Sequence, residues 1–428
     1  MMRSLYAGIS GLQNHQLRMD VIGNNIANVN TVGFKASRVT FKELFSQTLR
    51  GASAPAGPAR GGTNPLQIGL GTALAGIDVI HQSGNPQVTG VPTDLAIQGD
   101  GFFVLQDASG GFVYTRAGDF RLDAQGYLVN ADGLRVLGWQ AQGGVLPARD
   151  AVNLGPIRIP LDMEVPAQAS SRVTWSNNLD AGAAQNTKLT RAIEVYDSLG
   201  NVHTLVFTFE KTGNNQWQWT VADPTNPGGT GQTPQPISQG TLTFDTDGRL
   251  QSVTQSIPGG GGGGTGTPNF TATLTFTPQG ADPVNLTLDF ANVTQFAGES
   301  TLGGDADGYA AGELTSFAAD ASGTITGVFS NGMTQPIAQV ALASFANPGG
   351  LIRDGNLYWQ SSNSGVAQIG TAGSGGRGII SPGALEMSNV DLSREFVDMN
   401  VTQRGFQASS RVITASDEML QELVNLKR

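Results

Sequence analysis

MMRSLYAGISGLQNHQLRMDVIGNNIANVN, residues 1–30, and LEMSNVDLSREFVDMNVTQRGFQASSRVITASDEMLQELVNLKR, residues 385–428, share one periodicity. In the first, Leu5, Ile9, Leu12, Met19, Ile22, Ile26 and Val29 recur at steps of three and four, with Gln16 in the one gap. In the second, Leu392, Phe396, Met399, Phe406, Ile413, Leu420 and Val424 do the same, with Gln403, Ser410 and Asp417 between them. Apolar residues at that spacing form a heptad stripe, the pattern of helices built to pack on other helices. The spacing predicts a helical core made from residues 1–30 and 385–428. The first helix is expected over about Ser4 to Asn28. Gly8, Gly11 and Gly23 weaken it by roughly 1 kcal/mol each relative to Ala. It is therefore expected to be disordered in a lone chain and ordered on assembly.

Working inward, the segment Asn24-Asn25-Ile26-Ala27-Asn28 to Gly33-Phe34-Lys35 reads as a helix end turning into a loop, since Asn and Gly tolerate positive φ. A short apolar stripe, Phe41, Leu44 and Phe45, follows. Residues 50–65 are rich in Pro, Gly and Ala, and the whole of 31–65 is expected to be connecting loop and linker. From 66 onward the periodicity falls to two. Turn residues at Gly99 to Gly101, Gly110-Gly111, Asp123 to Gly126 and Asp132-Gly133 punctuate short apolar runs. Leu205, Phe207 and Phe209 alternate with polar residues, and after Gly213-Asn214-Asn215 so do Trp217, Trp219 and Val221. This reads as a hairpin with its aromatic side chains on one face. Further strands are expected at Thr241–Phe244, Thr271–Phe276, Leu286–Phe290, Ile325–Phe329, Ile337–Phe345 and Leu357–Gln360.

The fold class is thus mainly β with terminal α-helices. The β regions nest as barrel- or sandwich-like domains on a coiled-coil core formed by the two termini. A first β domain is expected from 66–144 plus 305–384, carrying an inserted β domain at 145–304.

Composition narrows the function. Charged residues make up 14% of 428, glycine numbers 59, and the net charge is −10; ordinary soluble domains carry about 25% charged residues. Neutral polar surfaces suit repeated contact between identical subunits, and an acidic chain does not suit nucleic acid. There is no cysteine, which excludes disulfides, thiolate catalysis and thiolate metal sites. No apolar run is long enough to span a bilayer. The N-terminal stretch lacks the continuous apolar core of a cleavable signal peptide.

His15, His81 and His203 stand apart, with no partner at metal-ligand spacing. Asp245-Thr246-Asp247-Gly248 and Asp305-Ala306-Asp307-Gly308 lack the glutamate of a calcium loop and read as β-turns. The Gly259–Gly264 run is not followed by Lys-Ser/Thr and is no phosphate cradle. No catalytic residue, cofactor site or metal site is assigned. Two classes remain on these grounds: a structural polymer subunit, and a secreted β-rich adhesin or enzyme with association helices. Tubes or discrete particles by electron microscopy would separate them.

Ser4-Leu5-Tyr6-Ala7-Gly8-Ile9-Ser10-Gly11-Leu12, Met19 to Asn28 and Gly33-Phe34-Lys35 resemble the N-terminal signature of the bacterial flagellar rod and hook axial proteins. Within it the motif residues are Asn24, Asn25, Ala27, Asn28, Gly33, Phe34 and Lys35. The run Gly383 to Leu392, with Gln403-Arg404-Gly405-Phe406-Gln407 and Leu423 to Leu426, is similar to the C-terminal signature. Gly99-Asp100-Gly101-Phe102-Phe103, Tyr114 to Phe120 and Ala343 to Leu351 resemble the family's first β domain. The rod members lack a large inserted β domain, so the insertion here places the resemblance on the hook side, with a distal rod-type protein as the alternative.

The resemblance implies a homopolymeric, helical, flexible tube that acts as a universal joint passing motor torque. Its terminal helices would line the core, and the insertion would lie outermost. It implies rod, hook-cap and hook–filament junction proteins as partners, and export through the flagellar type III apparatus to an extracellular place on the flagellum. It implies no enzymatic activity, no nucleic-acid partner and no membrane span. Cysteine-mediated crosslinking of neighbours, found in some hook families, is excluded by composition.

Overall fold

The computed structural model describes residues 2–54, 61–223, 236–256, 270–278 and 280–426. The glycine run at 259–264 and linker residues 55–60 lie outside them. Two helices, α1 (Met2–Ala27) and α2 (Leu392–Asn425), stand at the ends of the chain, and the described residues between them are strands, turns and two short 3₁₀ turns. The chain divides into two compact units: Met1–Leu161 with Phe317–Gly327 and Gln335–Arg428, and Asp162–Ser316 with Val328–Thr334.

Four expectations need correction. Residues 385–391 are not helical. Ala384–Glu386 is a strand paired with Pro86–Val88, and α2 starts only where the Asp391 carboxylate accepts hydrogen bonds from the amides of Ser393 (2.9 Å) and Arg394 (3.3 Å).

Residues 31–65 are not simply a linker. They hold β1 (Ser37–Glu43) and β2 (Ser46–Arg50), which pair antiparallel with β4 (Thr72–Val79) and β3 (Leu66–Gly69) to make a two-stranded ribbon. Every residue of β2 and β3 is exposed, so the burial that imposes alternation on a strand sequence is missing there.

The insertion begins later than 145 and does not end at 304, since residues up to Ser316, and Val328–Thr334, belong to the second unit. Leu137 pairs with Pro156 and Gly138 with Gly155, and Ile157 and Ile159 are fully buried, which ties 145–161 to the first unit.

In the first unit, Phe102–Gln106, Phe112–Thr115 and Arg135–Gln140 form the centre of an antiparallel sheet, with Val104 opposite Tyr114 and Val136 opposite Leu105. The returning chain joins it: Val340 pairs with Gly138, Leu342 with Phe103 and Tyr358 with Tyr114. Phe102, Tyr114, Trp139, Phe345 and Tyr358 pack as one apolar cluster, with Tyr114 edge-on to Phe345 at 4.8 Å.

The second unit has a five-stranded sheet, Lys188–Tyr196, Val202–Gly213, Gln216–Ala222, Pro236–Phe244 and Leu250–Ser256 in that order. Its four-stranded sheet has the order Thr271–Phe276, Val284–Phe296, Arg172–Asp180 and Gly303–Ala306. The aromatic hairpin is as the alternation predicts: Phe207 faces Val221, Phe209 faces Trp219, and all four are fully buried. Trp175 sits among them, 4.8 Å from Phe207 and 5.0 Å from Phe209. Side chains join the two sheets at their edges. The Gln255 amide pairs with the backbone of Thr273 like one more strand residue, and Arg191 Nε donates to Leu302 O at 2.8 Å.

Asp305 and Ala306 are strand, not turn, pairing with Thr174 and Val173. The turn reading does hold at Asp245, whose carboxylate accepts from the amides two and four residues on, with Gly248 at φ +77°. Asp123, Asn130, Asp197 and Asp320 repeat that arrangement.

Candidate functional site

The two chain ends meet. α1 and α2 run antiparallel, with Ser4 beside Ser416 (Oγ to Oγ 3.2 Å), Arg18 paired with Asp398 (3.0 Å) and Asn25 Nδ2 donating to Glu395 Oε1 (3.2 Å). The surfaces that touch are small and polar. Thr402 and Ser416 are buried at 0% and 2% exposure. A side chain at Gly8 would lie 3.1 Å from Ile413, and one at Gly11 would lie 3.0 Å from the Ser409 hydroxyl. These glycines weaken an isolated helix, yet here they let the two backbones approach.

Of the predicted stripe, Ile22 is buried, and Leu5, Leu12, Met19, Ile26, Met399, Phe406, Ile413 and Leu420 are half-buried. Ile9, Leu392, Phe396 and Val424 are exposed. Val397, Val401, Val412 and Met419, which the heptad reading omits, are also exposed. The pair thus closes on its small residues and leaves many of its large apolar ones outward.

Below the helices lies a buried polar knot. Glu386, 1% exposed, receives Lys35 Nζ at 2.5 Å, Arg116 Nη1 at 3.3 Å and the Gly84 amide at 2.8 Å. Lys35 Nζ also donates to Gln82 O at 2.9 Å. Burial lowers the Lys35 pKa against the pull of Glu386. The Gly33 amide donates to Glu386 O at 2.7 Å. Asn389 accepts from the Ala36 amide and donates to Ile80 O and Gln82 O.

The N-terminal motif residues fall into place around this knot. Asn25, 1% exposed, exchanges hydrogen bonds with the Ser37 backbone. Asn28 bonds back to Asn24 O, and Ala27 ends α1. Gly33 has φ +69°, and a Cβ there would sit 2.6 Å from the Ala117 nitrogen. Phe34 lies under the Arg353 guanidinium, 4.3 Å from ring centre to Cζ. Sequence reading passed over Glu386, Arg116 and Asn389 as working residues although all three lie in the quoted signature runs. A charged residue inside an otherwise apolar or Gly-rich signature was the available signal.

The three histidines occupy separate settings. His15 lies in the helix seam. His81 packs edge-on to Phe102 at 5.7 Å; burial, with Arg116, Lys35 and Arg353 nearby, lowers its pKa to about 4. His203 donates to or accepts from Asp197 at 3.1 Å. Burial works to raise the Asp197 pKa, but the hydrogen bonds from Asn201, His203 and backbone amides outweigh it and bring it to about 2.

The architecture is thus a β-rich chain whose ends close into one helix pair with large apolar residues left facing outward. Four family models match in chain order: flagella basal body rod protein over 5–35, the flagellar hook protein FlgE/F/G D1 domain over 96–174, the flagellar basal body protein FlaE D2 domain over 164–309, and the flagellar basal body rod FlgEFG protein C-terminal region over 381–426. The chain is 44% identical to the flagellar hook protein FlgE of Treponema pallidum and 42% identical to that of Borreliella burgdorferi, covering all of both proteins and all of itself. The Helicobacter pylori flagellar hook protein FlgE2 structure aligns over 70% of this chain and 100% of its own, at 17% identity and a TM-score of 0.49. The chain belongs to the flagellar hook protein FlgE family, and is a structural subunit of the bacterial flagellar hook. That family is a structural one, and no helix among the described residues is long and apolar enough to cross a membrane.

Proposed function

We propose that the outward apolar residues of the helix pair are what join one copy to the next in the hook. The supporting observation is the division of labour in the pair. Inside one chain the helices meet on Gly8, Gly11, Gly405, Ser409 and Thr402. Tyr6, Phe396, Val397, Val401 and Val424 are each more than half exposed. Fully burying an exposed apolar side chain gains about 1.5–3 kcal/mol; these are already partly covered, and neighbouring copies recover the remaining share. The exposed ribbon adds Phe45, Leu49 and Leu66 to this surface, and a two-stranded ribbon alone is only marginally stable in water.

The assembled tube serves as the flexible joint between rod and filament. Its end partners are the rod, cap and junction proteins. The subunit reaches its extracellular place through the flagellar type III export apparatus. Val401→Asp tests the reading, since a carboxylate set in an apolar contact is strongly disfavoured. The variant is expected to keep native circular dichroism and to form no tubes in electron micrographs. Normal tubes would show that this face is not an assembly contact.

A further inference from the structure

The helix pair has one seat for the His15 ring. A Cβ at Gly405 would lie 2.5 Å from His15 Cε1, 2.6 Å from Nε2 and 3.1 Å from Nδ1. The imidazole therefore occupies the space that any other residue at 405 would fill. His15 Nδ1 is buried with no hydrogen-bond partner, so packing holds the ring and hydrogen bonding to that nitrogen does not. Gly405 is the only glycine in α2. The other residues that α2 turns toward α1 include Glu395, Asp398, Thr402, Ser409, Ile413 and Ser416, all with side chains. Sliding α1 by one turn, about 5.4 Å, would drive the ring into Ser409 or Thr402.

Two of the other polar contacts along the seam are permissive. Arg18 and Asp398 are about a third exposed, and such pairs re-form easily. Ser4 and Ser416 touch through their hydroxyls. A glycine inside a helix costs about 1 kcal/mol relative to Ala, so Gly405 needs a local reason, and the ring supplies it.

We propose that His15 and Gly405 act as pin and notch, setting the axial register of α1 against α2. Both are positioning residues. The register decides which outward residues of α1, such as Tyr6 and Ile9, stand beside Val412 and Met419 of α2, and so what composite surface one copy offers another. That consequence rests on the assembly reading above; the register itself does not.

The chain contains no cysteine, so a cysteine pair serves as a ruler. Ser4→Cys with Ser416→Cys is placed in the full chain, oxidised in assembled material and read by mass spectrometry and non-reducing gel. A disulfide requires Cα atoms within about 7 Å, and a one-turn slip breaks it. The unaltered background is expected to give an intrachain disulfide in most chains. Gly405→Ala should cut that yield several-fold, and His15→Ala combined with Gly405→Ala should restore it. His15→Ala alone should allow the slipped pair Ser4→Cys with Leu420→Cys to crosslink, which the parent does not.

Should Gly405→Ala prevent assembly, recovery of tubes in the double variant is the deciding readout. Full crosslinking in Gly405→Ala overturns the proposal, as does a double variant no better than the single one. Interchain dimers in the parent would also overturn it, because positions 4 and 416 would then meet across copies. Loss of tubes with an intact intrachain crosslink would instead count against the assembly reading alone.

Discussion

Replacing Glu386 by Gln should cost far more than replacing Lys35 by Met, although the two side chains are partners 2.5 Å apart. Glu386 is the anion for two buried cations, Lys35 and Arg116, exposed to 0% and 2%. The amide of E386Q keeps an acceptor for the Gly84 N–H but leaves both cations without a counter-charge. Removing one side of a buried pair costs about 3–5 kcal/mol, so E386Q should fall at or above that range. K35M leaves Glu386 matched one-to-one with Arg116 and still bonded to Gly84. Gln82 O loses one donor but keeps Asn389 Nδ2 at 3.0 Å. Glu386 keeps a counter-charge and the desolvation of one buried ammonium is removed, so the loss is expected to be smaller than that of E386Q.

Hydrogen exchange in rising urea, read on Phe102–Gln106 for the first unit and Phe207–Phe209 for the second, separates the two units. E386Q should destabilise the first and leave the second unchanged. An E386Q loss below about 1 kcal/mol, or equal losses in E386Q and K35M, would refute the charge accounting.

The pH dependence follows from His81, held neutral in the fold with a pKa of about 4 against 6.5 unfolded. Its stabilisation is complete above pH 6.5 and is lost as pH falls toward 4, by about 3 kcal/mol at most; His81→Gln should flatten that portion of a stability–pH curve. Gly240→Ala should unfold the second unit, because its Cβ would lie 2.7 Å from Nε1 of the fully buried Trp219, and near-ultraviolet circular dichroism would report the loss. Gln168 and Tyr309 are bridged, so replacing the residues between them by a short Gly/Ser linker should leave the first unit folded. Tubes of altered curvature are expected by electron microscopy; failure to assemble would make the insertion a required contact.

The two helices were legible because an apolar period near 3.6 survives over many turns, and the aromatic hairpin because Phe207, Phe209, Trp217 and Trp219 alternate without a break. The ribbon at 37–50 was not, since its strand at 46–50 is exposed on both faces and the one at 37–43 is only half-buried without regular alternation. The true start of α2 hid behind Leu385 and Met387, which extend the apolar pattern into a strand. Glu386 and Lys35 are 351 residues apart, and nothing local tells one of the other. Gly8 and Gly11 looked like weaknesses, and Gly405 passed as part of a signature run, because a notch has meaning only once the knob on the other helix is known.

Strand Arg172–Asp180 lies parallel to Val284–Phe296, with Arg172 opposite Thr287 and Asp180 opposite Phe296. A parallel neighbour this far along the chain cannot be recruited by a turn. More than a hundred residues must be closed into a loop first, and the entropy of that closure precedes any return from the pairing. Such long-range pairings are slow to form. The five-stranded sheet of the same unit pairs in sequence order and can form locally, but the four-stranded sheet cannot close until both of these strands are available. One unit thus holds a sheet that local hairpins can build and a sheet that waits for the far end of the insertion.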